Sequence, residues 1–232
     1  MRLFEISKLK NDEHARASKC WQHYNQKEQS FLATQQRLAP QYGHNLRLSL
    51  IGQDVIEAHA TQWQPLIQSE TDHRDDRYLS KRSLEKAFET TSNTIPGKFL
   101  NPDYDPRHFN LAIWMGDTLC GIATGGYSEE VERGYVSIHV LEGHPDSNHP
   151  LKGQIANIIK EAALDYAASI NIDKVAYMGP FSEGFKKTHK TAGLQKGSIQ
   201  LKGGSTASDV YIHPVTPDPS LTAHPQPPPE PF

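Results

Sequence analysis

The sequence predicts an α/β fold, with a mixed, mostly antiparallel sheet flanked by helices and a helical extension at the N-terminal end. Three observations carry this. From residue 46 strand-like and helix-like segments follow in the order β-α-α-β-β-β-α-β-α-β-β. Residues 155–170 form the strongest amphipathic pattern in the chain, with Ile155, Ile158, Ile159, Ala162, Tyr166 and Ile170 on one face. That helix separates two strands, which makes one βαβ crossover between residues 135 and 178 in a largely antiparallel sheet.

The elements follow in chain order. Residues 12–39 read as a helix, with Asp12 as N-cap, Pro40 beyond the end, and Ala17, Tyr24, Phe31 and Leu38 recurring every seven positions. Such a helix either lies across the main domain or serves as a partner-binding or homodimer contact. LRLSLI (46–51) reads as a strand and GQDVIEAHATQW opens a helix behind it. ETDHRDDR (70–77) is a charged loop, and 80–90 suggests a short helix with Leu84 and Phe88 four apart. FNLAIWM (109–115), the Gly116-Asp117 turn and LCGIATGGYS (119–128) describe a hairpin. GYVSIHVL (134–141) is a further strand, and after the 155–170 helix KVAYM (174–178) is a short buried one. Ser182 caps a helix that ends at Gly193, and GSIQL with SDVYIH closes the chain as a hairpin.

Composition bounds the rest. Half of the 16 prolines lie between Pro214 and Pro231, so the division predicted is an extension (1–45), a folded domain (46–213) and a proline-rich, disordered tail (214–232). No apolar run reaches the roughly 18 residues of a membrane span. Residues 1–14 turn charged before an apolar signal-peptide core could form. Cys20 and Cys120 stand a hundred positions apart, which suggests neither a disulfide framework nor a cysteine zinc site and makes a reducing cytoplasm the default. The net charge is −3, distributed as +3 over residues 1–44 and −6 over the remainder. That balance does not by itself indicate a nucleic-acid binder.

Two places suggest chemistry. A helix that begins near Lys152-Gly153 presents unsatisfied backbone N–H groups and the positive end of its dipole. Such an end suits a pyrophosphate, with Gly153 allowing close approach, Lys152 adding charge and the Ile155 amide available. The plainer reading is that Gly153 only starts a helix. The second place is the 134–141 strand. If Val136, Ile138 and Val140 face the core, then Ser137, His139 and Leu141 share the other face. An imidazole at 139 titrates near neutral pH. The spacing His139-x4-His144-x4-His149 invites a metal reading, but no helical face fixes the trio, and none is assigned.

The order from Leu46 to about His213 resembles the GNAT acyltransferase superfamily. The hairpin LAIWMGDTLCGIATGG looks like that family's second and third strands, and GYVSIHVL like its fourth. GQIANII (153–159) is similar to its GxGxxLL, and Ser182-x-x-Phe185-x-x-x-His189-x-x-x-Gly193-Leu194 has the spacing of its Asn-x-x-Ala-x-x-x-Tyr-x-x-x-Gly-Phe. Pro150, Gly153 and Ile155 keep one of the three phosphate-loop positions, Ser182 replaces Asn, and His189 replaces the Tyr. The resemblance implies acetyl-CoA as co-substrate and an amine acceptor. It implies a fourth strand that splays from its neighbour, with its backbone at Val140 and Leu141 holding the thioester arm. It also implies Lys152, Gly153, Gln154, Ile155 and Ser182 around the coenzyme. His139, His189 and Glu142 are then the candidate catalytic groups, with Glu129, Glu130 and Glu132 as further bases. The acceptor could be a small amine, a protein amine, an aminoacyl-tRNA or a nucleobase. The competing reading is a GNAT-fold interaction module that has lost coenzyme turnover.

Overall fold

The computed structural model describes residues 3–69, 108–128, 134–178, 195–200 and 206–215. The first helix, α1, spans Leu3–Tyr42, longer at both ends than the 12–39 predicted. Asp12 is therefore inside the helix and not its cap. Pro40 falls in the last turn, where its missing N–H costs a single backbone bond. The turn closes with the Gly43 amide on the Ala39 carbonyl at 2.8 Å. Strand β1 (Leu46–Ser49) follows, shorter than predicted.

The helix after β1 is three pieces: α2 (Gln53–Ala58), a π-helical turn (His59–Trp63) and α3 (Gln64–Ser69). The wider turn brings two neighbouring side chains onto one strand. Trp63 Nε1 donates to the Leu119 carbonyl at 2.8 Å, and Gln62 Oε1 accepts from the Leu119 amide at 2.9 Å. Strands β2 (His108–Met115), β3 (Thr118–Ser128) and β4 (Tyr135–Gly143) form a meander. Helix α4 (Ile155–Ser169) crosses to β5 (Lys174–Tyr177), and β6 (Gln195–Gln200) pairs with β7 (Thr206–Pro214). The helices predicted over 80–90 and 182–193 lie outside the described residues.

The sheet has seven strands in the order β1-β2-β3-β4-β5-β7-β6, and every pairing is antiparallel except β4 with β5. The α/β prediction, with one crossover and a mostly antiparallel sheet, matches what is observed. The main core fills the face under α1 and α4, where Phe31 and Leu38 meet Phe109, Leu111, Ile158 and Tyr166. The second core, Val55, Trp63, Trp114, Leu119 and Ile122, covers the opposite face.

The extension is part of the fold. Helix α1 runs antiparallel to α4: Ser30 Oγ reaches Ser169 Oγ at 3.0 Å, Thr34 Oγ1 donates to Asp165 at 2.6 Å, and Arg37 bridges Asp165 (2.7 Å) and Glu161 (2.9 Å). A polar stripe at 30, 34 and 37 thus runs beside the apolar one at 31 and 38. At the other end of the domain, β7 continues to Pro214, and the Val215 amide donates to the Asp173 carbonyl at 2.8 Å. Val215 is buried in the main core. Among the described residues no helix is long and apolar enough to cross a membrane.

Candidate functional site

The site grows from an irregularity in β4. Along β3 the register pairs Thr124 with Val140 and Gly125 with Ile138, so His139 is the extra residue of a bulge. Ser137 O lies so close to Gly125 that a side chain there would collide with it. The bulge corrects the predicted alternation. Val136 and Ile138 face the main core, but the added residue reverses the sequence beyond it, so Leu141 joins them and Val140 takes the other face with Glu142. His139 itself is exposed, while Val140, Leu141 and Glu142 are half-buried.

The same residue marks where β4 leaves β5. Their parallel pairing runs through Val136–Val175, Ser137–Ala176 and Ile138–Tyr177, and ends with the Met178 amide on the Ile138 carbonyl at 2.8 Å. Beyond it β4 continues to Gly143 against β3 alone among the described strands. The stretch from His139 to Gly143 covers about 13 Å of backbone.

At the far end of that stretch stands α4. Ile155 packs on a pair of glycines facing one another across the strands, Gly121 and Gly143. Its side chain is buried; Lys152, Gly153 and Gln154 before it are exposed. Gly153 has φ +76° and no atom within 4 Å of where a Cβ would lie. Gln154 is the N-cap residue, makes no side-chain cap, and accepts the first helical bond from Ile158 at 3.0 Å. The amides of Ile155, Ala156 and Asn157 precede the first intrahelical donor and point out along the axis. Tyr42, the last residue of α1, donates to Gln154 Oε1 at 3.2 Å and accepts from Asn157 Nδ2 at 3.1 Å.

The loop from β4 to α4 adds two histidines. The His144 and His149 rings lie tilted at 36° with centroids 5.8 Å apart, and Trp63 stands edge-on to His144 at 5.6 Å. Burial pushes the pKa of His144 down against the pull of Asp146. Burial does the same to His149, helped by His144 and Lys152 and opposed by Asp146. Of the histidine trio noted in the sequence, the spacing was visible, but Trp63 between the elements was not. The tie from Tyr42 had no sequence signal, because its partners lie more than a hundred residues away. The candidate residues Ser182 and His189, like Glu129, Glu130 and Glu132, lie outside the described residues.

Among solved structures, the chain is similar to several acetyltransferases. One, from Thermus thermophilus, is 16% identical with a TM-score of 0.41, over 73% of this chain and 97% of its own. A second, from Salmonella typhimurium and described as modifying the N-terminal serine of ribosomal protein L7/L12, is 9% identical with a TM-score of 0.47, over 75% and 98%. A third, the paia N-acetyltransferase of Thermoplasma acidophilum in complex with coenzyme A, is 11% identical with a TM-score of 0.41, over 73% and 98%. No family model matches the sequence, and no curated protein matches it.

Proposed function

We propose that the protein is an acyl-CoA-dependent N-acyltransferase that moves an acetyl group to a primary amine. The observation that carries this reading is the parting of β4 from β5 at His139, with the exposed start of α4 at the end of the same strand. A strand backbone that leaves its neighbour can exchange hydrogen bonds with an amide-bearing ligand arm, here at Val140 and Leu141. The helix end beyond it suits the phosphates at the ligand's other end. The residues present fit such a group. Gly153 offers open space, Lys152 a positive charge, and the first turn its amides. Ile155 does not spoil the fit, since its side chain turns inward onto Gly121 and Gly143.

Acyl transfer requires an amine that has lost its proton, a steadied oxyanion and a protonated leaving thiolate. His139, exposed at the bulge, takes the proton from the attacking amine; Glu142, further along the same strand, is the second candidate for that role. Donors from the strand backbone steady the oxyanion as the nitrogen adds to the thioester carbonyl. The C–S bond then breaks and the thiolate takes a proton, the role His189 would fill. The acceptor's identity is for a substrate screen.

Calorimetric titration with acetyl-CoA tests the reading. Micromolar binding that Gly153→Trp abolishes supports it. No binding at millimolar coenzyme overturns it in favour of an interaction module.

A further inference from the structure

Between β4 and α4 the chain folds as successive turns around two imidazoles. The His144 amide donates to the Cys120 carbonyl at 2.8 Å, anchoring the loop to β3. The His149 amide reaches Asp146 O at 3.4 Å, Lys152 N reaches His149 O at 3.1 Å, and Gln154 N reaches Leu151 O at 2.9 Å. Each turn delivers the next, and the last delivers Gly153.

The ring nitrogens matter more than the backbone. His144 Nδ1 accepts the Asp146 amide at 3.0 Å, so that nitrogen carries no proton in this arrangement. A proton placed there would set two donors against each other. His149 Nδ1 is buried and has no hydrogen-bond partner, so charging that ring would add a cation with no acceptor at its inner nitrogen. It would also add that charge 5.8 Å from the other imidazole.

The titratable and charged neighbours among the described residues are mixed. Asp146 and Lys152 lie on the loop itself. His59 reaches the cluster through Trp63, at 5.2 Å between rings, and the positive end of α4 closes the loop. Cys120 belongs to β3, and burial pushes its thiol up, so it stays neutral. Glu142 lies next to the last residue of β4, on the face that carries Ile122. Asp146 favours a charged ring at both positions; burial opposes it at both, joined at His149 by His144 and Lys152, and the helix end adds to the opposition. The lowered pKa of each imidazole is the net result.

We propose that the β4–α4 loop is a pH-operated latch: with His144 and His149 neutral it holds Lys152, Gly153 and Gln154 in register, and protonation releases them. The latch gives the coenzyme reading its regulation and rests on that reading only for the ligand it controls. Protonation here acts through the fold, since a histidinium near a phosphate would by attraction alone tighten binding.

The test uses hydrogen exchange on the full chain at about pH 7.5 and about pH 5.5, corrected for intrinsic rates. Protection of the hydrogen-bonded amides within residues 144–154 is expected to fall about tenfold on acidification while residues 158–169 keep theirs. In the double variant His144→Asn/His149→Gln neither side chain titrates, and the carboxamide oxygen introduced at the first position can still accept the Asp146 amide. That variant is expected to hold its protection at both values. Unchanged protection in the wild type overturns the latch even if the variant fails to fold, and so does a folded variant as acid-sensitive as the wild type. Acetyl-CoA titrated at the same two values should bind the wild type about tenfold more weakly at the lower. Tighter binding on acidification also overturns the latch. A loop that opens in a protein that binds no acetyl-CoA at either value overturns the acyltransferase reading and leaves the latch standing.

Discussion

Gly121 and Ile155 meet where only a hydrogen fits: a Cβ on the glycine would lie 2.6 Å from Ile155 Cγ2. The first residue of α4 is thereby seated on the sheet, and the amides that follow it take their position from that contact. Gly121→Ala forces either the strand or the helix start to move, at an expected cost of about 1–3 kcal/mol. Thermal denaturation should show the loss. Acetyl-CoA titration on the same variant should show weaker binding, and unchanged affinity would mean that the helix start does not hold the ligand.

His139 is exposed at the bulge and lies outside the hydrophobic core clusters. His139→Ala should therefore leave the melting temperature nearly unchanged. If the imidazole takes the amine proton, kcat should fall about 10²-fold or more with KM for the coenzyme little altered. A variant with wild-type turnover would move the role to Glu142.

Tyr42→Phe removes both hydrogen bonds between the end of α1 and the first turn of α4. The groups are solvated enough that the stability cost should stay below about 1 kcal/mol. Coenzyme affinity should fall by a larger factor than that figure implies, because Gln154 loses its orientation. Matched titrations and melts of wild type and variant separate the two effects.

Acid should weaken the α1–α4 seam. Burial raises the pKa of Glu161, but hydrogen bonds and charge from Lys160 and Arg37 outweigh it, and the net shift is downward. The unfolded chain then binds that proton more readily, so the stabilisation is complete above the ordinary carboxylate range and is lost as pH falls through the lowered value. Arg37 is nearly half exposed (47%), which keeps the seam's contribution to about 1 kcal/mol or less. Denaturant melts of Arg37→Met against wild type should differ at neutral pH and converge in acid.

Much of the architecture was legible because it depends on local patterning. The short apolar run at 109–115 reads as a buried strand, the 3.6-residue period of 155–170 reads as a helix, and Gly116-Asp117 between two strand-like runs leaves a hairpin as the economical solution. Gly153 was read only as the glycine at a helix start; that it takes φ +76° there came from the structure. The extension was read correctly as a helix, but its length was not: nothing in residues 3–11 breaks a helix, and Asp12 looked like a cap.

What the sequence alone determined was the order of elements and the residue types at the mouth of α4. The tertiary structure decided where they point. Two strands in register cannot absorb an extra residue without a bulge, and which residue is extra depends on the partner strand; that choice fell on His139 and turned Leu141 inward. The contacts of Tyr42 with Gln154 and of Trp63 with His144 likewise required packing across the whole chain. A side chain's period is written locally, whereas its neighbour is set by how the sheet and helices close on one another.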